Sequence, residues 1–299
     1  MLKNLSELRE IVKKSPKKKL VVAAAHDEHS LEAVVNAAKM KIVDPILVGD
    51  EEKMHRIADK LELDLKNMEI IDETDLGESV AKAVKLVHFG DADILMKGNV
   101  GSATLLKGVL NKEWGLRKNE IISHIALFEV PAYHHKLIAL TDVAMNIAPE
   151  LNAKVNILRN SIEFLRKLGI EEPKIAVLGA VELVNEMMPA TLDAALLSKM
   201  ADRGQIPNCL IDGPLAFDNA ISAEAAEHKG IKSNVAGMAD LLLLPDIEAG
   251  NVLYKAFIFF ANAKVAANIL GASAPIVLTS RSDSEDSKLD SICLAAAVH

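Results

Sequence analysis

Cysteine and aromatic residues are both scarce in this chain of 299 residues, with two cysteines and an aromatic share of 3%. Cys209 and Cys293 are too few for a disulfide framework or a thiolate metal site, as expected in a reducing compartment. The shortage of Phe, Tyr and Trp argues against an aromatic-rich antiparallel sandwich and suits helices packed on a parallel sheet of Ala, Val, Ile and Leu. A basic excess is also missing. Lys and Arg number 34 against 42 Asp and Glu, for a net charge of −8, which argues against broad nucleic-acid binding. An anionic substrate must therefore be held by a local cluster of donors and not by the global field. Long apolar runs are lacking too: 241–245, 256–261 and 294–298 fall far short of the roughly 18 residues that suggest a membrane span. The opening MLKNLSELREIVKKSPKKKL has the pattern of an amphipathic helix and no apolar segment of signal-peptide length. These absences lead us to expect a soluble cytoplasmic protein with no nucleic-acid or membrane partner.

What the chain does have is hydrophobic content of 50%, enough for one large α/β core or two smaller ones. Short β-branched or Leu-rich runs alternate with longer helical patterns, the signature of βαβ units. The runs predict strands at 20–25, 45–48, 69–71, 93–97, 122–129, 136–141, 174–178, 209–212, 241–244 and 275–279. Helices are expected at 78–89, 150–167, 190–201 and 251–270, each with apolar residues at i, i+3, i+4 and i+7. Gly169 and Gly271 sit where helices should stop, and Pro149 and Pro189 near where the next begin. The alternation breaks once, at the two consecutive strands joined through Pro131 to His135. That break places a first lobe at residues 1–135 plus 281–299 and a second at 136–280.

In open α/β sheets ligands bind at the carboxyl ends of the strands. Those ends are polar and Gly-rich here. Lys97-Gly98-Asn99-Val100-Gly101-Ser102 runs from a strand into a helix, with Thr104 following, and offers backbone N–H groups where a helix dipole favours an anion. It matches neither a Walker A sequence nor a GxGxxG fingerprint, and a tight turn capped by Ser102 accounts for it equally well. Ser280-Arg281 follows the strand APIVLT, where an Arg fork suits bidentate phosphate contact. The alternative is a surface pairing of Arg281 with Asp283 or Glu285. Thr141-Asp142 with Asn146, and Asp246 with Gly250-Asn251, form further polar strand ends. His26-Asp27-Glu28-His29 has metal-ligand residue types, but acidic residues at a helix start are ordinary dipole partners, and no metal is expected. Neither cysteine lies in an electropositive setting that would activate a thiolate.

Six stretches together resemble the phosphate acetyl/butyryltransferase family, and within it the butyryl-type members. They are LMKGNVGSATLLKGVL (95–110), LTDVAMNIAPEL (140–151), VELVNEMMPATLDAALLSKM (181–200), LIDGPLAFDNAIS (210–222), VAGMADLLLLPDIEAGNVLYKAF (235–257) and VLTSRSDSEDSK (277–288). The resemblance implies a two-lobed, three-layer αβα fold like that of isocitrate and isopropylmalate dehydrogenases, with the active site in the cleft between lobes. It implies the reversible reaction of acyl-CoA and inorganic phosphate to acyl phosphate and CoA, no permanently bound cofactor, and a homodimer or a multiple of it. Ser280 and Arg281 match the family's Ser-Arg pair, which binds phosphate or the acyl group. The base for the CoA thiol corresponds to Asp286, one position earlier than the acetyl-type spacing, with Asp283 competing. Lys107 stands where acetyl-type members carry an arginine. Lys97, Gly98, Ser102, Thr104, Asn146 and Asn251 complete the expected substrate-binding and phosphate-binding set. Two other readings remain: a metal- and NAD-dependent dehydrogenase of the same broad fold, using Asp142, Asp212 and Asp246, and a non-catalytic ligand-binding relative.

Overall fold

The computed structural model describes residues 2–133, 136–279 and 283–299. In chain order it contains α1 (Leu5–Val12), β1 (Lys18–Ala23), α2 (Glu28–Lys39), β2 (Val43–Gly49), α3 (Glu51–Lys60), β3 (Glu69–Asp72), α4 (Leu76–His88) and β4 (Ile94–Lys97). There follow α5 (Ser102–Val109), β5 (Ser123–Glu129), β6 (Ile138–Thr141), α6 (Leu151–Lys167), β7 (Lys174–Leu178), α7 (Pro189–Asp202) and β8 (Leu210–Leu215). The last elements are α8 (Phe217–Ile221), α9 (Ala223–His228), β9 (Leu241–Leu243), α10 (Ile247–Phe259), β10 (Lys264–Leu270), β11 (Ile276–Val277) and α11 (Glu285–Val298). The architecture is α/β, consistent with the three-layer αβα arrangement. Sheet residues in succession are buried, as in β4 and β6, which requires cover on both faces of the strands.

The chain divides into two compact units. One comprises Leu5–Glu120 with Val265–His299, the other Met1–Asn4 with Ile121–Lys264. The changeovers fall at 120/121 and 264/265, where the sequence pattern suggested 135/136 and 280/281. The β5–β6 pairing accounts for the first difference: Ala126 opposite Leu140 and Phe128 opposite Ile138 form an antiparallel ladder that keeps both strands in one unit.

In the unit containing the chain's carboxyl end, which we call the first, the strand order is β3-β2-β1-β4-β11-β10. β1 runs parallel to β2 and β4, and β4 parallel to β11, with Ala23 opposite Lys97 and Met96 opposite Val277. The carboxyl ends of β1, β4 and β11 therefore lie side by side. In the second unit the order is β5-β6-β9-β7-β8, with β6, β9, β7 and β8 parallel. Helix starts are fixed locally by side-chain caps: Asp27, Asp50, Asp75 and Asp246 accept from the backbone N–H three residues on, at 2.8–2.9 Å. Pro189 opens α7, and Gly169, at φ +84°, follows the end of α6.

The expected helix over 251–270 is a correction. The structure ends α10 at Phe259, turns through Asn262 at φ +49°, and forms β10 from Lys264. The interior of β10, Val265 to Ile269, is wholly buried, Asn268 included, so its residues show no polar–apolar alternation to distinguish strand from buried helix. Gly271 consequently closes a strand and not a helix.

Candidate active site

At the carboxyl end of the first unit, close backbone approach shapes the β4–α5 turn. Gly98 N–H donates to the Ala23 carbonyl at 2.9 Å and Asn99 N–H to the Ala24 carbonyl at 2.7 Å. A Cβ on Gly98 would lie 2.8 Å from the Ala24 carbonyl carbon and closer still to its oxygen, so only glycine fits. Gly101 is the N-cap of α5 and contributes no side-chain cap bond. The first N–H groups of α5 thus keep their donor capacity, with Ser102 and Thr104 exposed on the same turn. Lys107 is exposed one turn along. Lys97 differs from its expected role in where its amine points. It is buried, and its Nζ donates to the Gly98 and Val100 carbonyls at 3.2 and 3.3 Å, bracing the turn from inside.

Beside this turn, Thr279 follows β11. Ser280 and Arg281, the expected phosphate pair, lie outside the described residues. On their far side Asp283 is buried and Ser284 caps α11, its Oγ accepting from Ser287 N–H at 3.2 Å. Lys288 is 3% exposed and donates from Nζ to Thr279 Oγ1 at 3.1 Å. Burial pushes the Lys288 amine below its ordinary value, while the carboxylates of Asp27 and Asp283 pull it back up. For Asp27 burial acts upward, but the hydrogen bonds from Ser30 and the charge of Lys288 hold the carboxyl below its usual range.

Asp286, the expected base, is on another side of α11. Its carboxylate is largely exposed and accepts from Arg9 Nη2 at 2.9 Å, while Arg9 Nε donates to buried Asp290 at 2.5 Å. Residues two apart on a helix do not share a face, so Asp286 turned to α1 and Lys288 turned to Thr279 point in different directions. Neighbouring Glu285 is raised to about 7, chiefly by sharing a hydrogen bond with the Glu32 carboxyl, then by burial and nearby negative charge.

The second unit supplies another polar strand end. Thr141 leads into Asp142, whose Oδ1 accepts from the Ala144 and Met145 N–H groups at 2.9 and 3.0 Å. Asn146 Nδ2 donates to Asp142 Oδ2 at 2.5 Å and to the Ile122 carbonyl at 3.0 Å. Asn251 donates to the Val143 carbonyl at 3.4 Å, and Gly250 lets α10 approach so closely that a Cβ would lie 2.5 Å from the Asp142 oxygen. Asn146 thus holds the Asp142 carboxylate while Asn251 holds the Val143 carbonyl beside it. His124, buried on β5, has no partner for Nδ1 among the described residues; burial lowers its imidazole although the charge of Asp142 opposes this.

Other sequence readings find direct counterparts. Asp27 caps α2, and His26 Nδ1 accepts from Asp50 N–H at 3.3 Å, a structural use of both residues. Burial pushes the thiols of Cys209 and Cys293 up to about 11 and about 12, so neither forms a thiolate near neutral pH. Reasoning from sequence singled out Asp27 and Asp283 but not Lys288, and no local spacing relates Asp27 to residues near the other end of the chain.

With these turns at its strand ends, the chain has the fold of a phosphotransacylase. It aligns with the crystal structure of a branched-chain phosphotransacylase from Enterococcus faecalis V583 at TM-score 0.83 and 35% identity, covering 94% of this chain and 99% of that one. The chain belongs to the phosphate acetyl/butyryltransferase family, whose model, described as "Phosphate acetyl/butaryl transferase", matches residues 4–81 and 73–296. A phosphate butyryltransferase of Clostridium acetobutylicum is 50% identical over 298 residues, covering 100% of this chain and 99% of that protein. A phosphate acetyltransferase of Thermotoga maritima is 47% identical over 279 residues, covering 93% of this chain and 94% of that protein. No helix among the described residues is long and apolar enough to cross a membrane.

Proposed function

We propose that this protein moves a short-chain acyl group, butyryl favoured, between CoA and inorganic phosphate: acyl-CoA and phosphate give acyl phosphate and CoA, reversibly, in the cytoplasm. The observation that carries the reading is identity of half the residues, over the whole chain, with phosphate butyryltransferases from two Clostridium species. CoA and phosphate enter as substrates, with no permanently bound cofactor. Assembly as a homodimer or a multiple of it belongs to the same reading and would cover exposed apolar side chains such as Leu183, Met187 and Phe260. Sedimentation as a monomer at micromolar concentration would refute that part.

In the direction of acyl-CoA formation, the CoA sulfur attacks the acyl carbonyl carbon. A C–S bond forms, the bond from that carbon to the phosphate oxygen breaks, and phosphate leaves with the bonding electrons. A free thiol with a pKa of about 8.5 is only about 3% thiolate at pH 7, so a base that accepts the thiol proton accelerates attack. Negative charge growing on the carbonyl oxygen needs donors already aimed at it. We assign that task to Ser280 with adjacent backbone N–H groups, and the phosphate to Arg281 with the β4–α5 turn of Gly98, Ser102 and Thr104. For the base, the ion pair of Asp286 with Arg9 and the burial of Asp283 beside Lys288 favour Asp283. The inert cysteines favour direct transfer in a ternary complex over an acyl-thioester intermediate.

The test follows free thiol released from acetyl-, butyryl- and branched acyl-CoA with and without phosphate. Release should require phosphate and be fastest with butyryl-CoA, with intersecting initial-rate lines. Equal release without phosphate would exclude the transferase, and parallel lines would exclude the ternary complex.

A further inference from the structure

We infer that Ser79 of α4 is a positioning residue for phosphate: its hydroxyl holds the exit of β1 in the left-handed conformation on which the β4–α5 turn is seated. The inference rests on the proposed assignment of phosphate to the turn of Gly98, Ser102 and Thr104.

β1 ends at Ala23, and the chain then turns sharply. Ala24 has φ +54°, a left-handed backbone that alanine adopts only at a steric cost, because its Cβ crowds a carbonyl oxygen. Contacts beyond the residue itself must hold it there. Ala24 N–H, past the end of the strand, donates to Ser79 Oγ at 2.9 Å, and the same hydroxyl donates to the Val48 carbonyl of β2 at 3.2 Å. Ala25 N–H donates to that carbonyl as well, at 2.9 Å. Ser79 and Ala24 are both fully buried, so a methyl group in place of the hydroxyl would leave the Ala24 N–H without water or an acceptor. Packing therefore does not explain a serine here, whereas the backbone it satisfies does.

The conformation of Ala24 decides where its carbonyl points. That oxygen accepts from Asn99 N–H at 2.7 Å, beside the bond from Gly98 N–H to the Ala23 carbonyl at 2.9 Å. It also lies so near Gly98 that no Cβ would fit between them. A contact with so little slack transmits any rotation of the Ala24 peptide to Gly98 and Asn99, and through them to the start of α5. Gly101, the N-cap of α5, makes no side-chain bond that would fix the helix start independently. Backbone N–H groups bind an anion only when they point at it, and a displacement of about 1 Å at a binding group can cost on the order of a hundredfold in rate. Ser79 acts through the β1 exit and is not assigned to touch phosphate.

The test makes Ser79→Ala and Ala24→Gly singly and together, and measures phosphate KM, acyl-CoA KM and melting temperature on each. Ser79→Ala should raise the phosphate KM roughly tenfold while the acyl-CoA KM changes less than about twofold. Glycine adopts the left-handed conformation without the steric cost, so adding Ala24→Gly to Ser79→Ala should return the phosphate KM to within about threefold of the unaltered protein. A serine with a merely structural role would lower the melting temperature, and the glycine, which adds backbone freedom and removes a buried methyl, would not restore phosphate binding. If Ser79→Ala does not fold, Ser79→Cys, similar in size but a weaker donor and acceptor, carries the comparison. Ser102→Asp tests the underlying reading: this exposed position would place a carboxylate where phosphate binds and should raise the phosphate KM at least about tenfold. Should Ser102→Asp leave that KM unchanged, the turn does not hold phosphate, and the reading and the inference fail together. If Ser102→Asp raises it but the Ser79 variants do not, or the glycine fails to rescue them, the inference about Ser79 alone is overturned.

Discussion

Gly98→Ala adds one methyl group to the turn between β4 and α5, and the structure sets its cost. The new carbon would sit 2.8 Å from the Ala24 carbonyl carbon, 2.9 Å from the Ala23 oxygen and closer still to the Ala24 oxygen. All three are backbone atoms of β1 and its exit, so no rotamer change relieves the clash; the strand or the turn must move. Overpacking a tight site costs about 1–3 kcal/mol, and moving the turn weakens the two bonds from Gly98 N–H and Asn99 N–H, each worth about 0.5–1.5 kcal/mol net. The sum is about 2–6 kcal/mol. Trp114, the single tryptophan, lies in the first unit, so its fluorescence reports the unit that carries the change. With a slope of about 2 kcal/mol per molar urea, the fluorescence midpoint should fall by roughly 1–3 M. Gly101→Ala, three residues on, is the control. Its Cβ would meet nothing nearer than Thr104 Oγ1 at 3.9 Å, and it should move the midpoint by less than about 0.3 M. Equal midpoints for the two variants would refute the close-approach argument.

The carboxylate base is tested by Asp283→Asn and Asp286→Asn. The first should lower kcat by about a hundredfold at unchanged acyl-CoA KM, whereas the second, which loses an exposed pairing with Arg9, should cost less than about 1 kcal/mol of stability and little activity. The reverse order in steady-state kinetics would return the role to Asp286. Cys209→Ala and Cys293→Ala should each retain most of kcat, because burial keeps both thiols protonated; a tenfold drop in a folded variant would reopen a covalent mechanism.

Much of the fold was legible because its signals are local. The strand ending at Lys97, the acidic start of α2 and the proline opening α7 each depend on a few consecutive residues whose backbone preferences agree. The family, too, was readable from the order of six motifs along the chain, before any contact was known. β10 was not legible, since a fully buried stretch without alternation satisfies both a strand and a buried helix until neighbouring strands select one. Neither were the partners of the candidate site's charged groups. The family resemblance nominated Asp286, yet α11 turns that carboxylate toward Arg9 and turns Lys288 toward Thr279. Similarly, Lys97 sits in a phosphate-like motif, but its amine is occupied with carbonyls of its own turn. The sequence by itself determined most of the strands, several helix starts and the family, because backbone periodicity and capping act over a few residues. Only tertiary structure decided which carboxylate meets which cation, because Asp27, Asp283 and Lys288 are brought together by the parallel registry of β1, β4 and β11, and by the packing of α11 against α2.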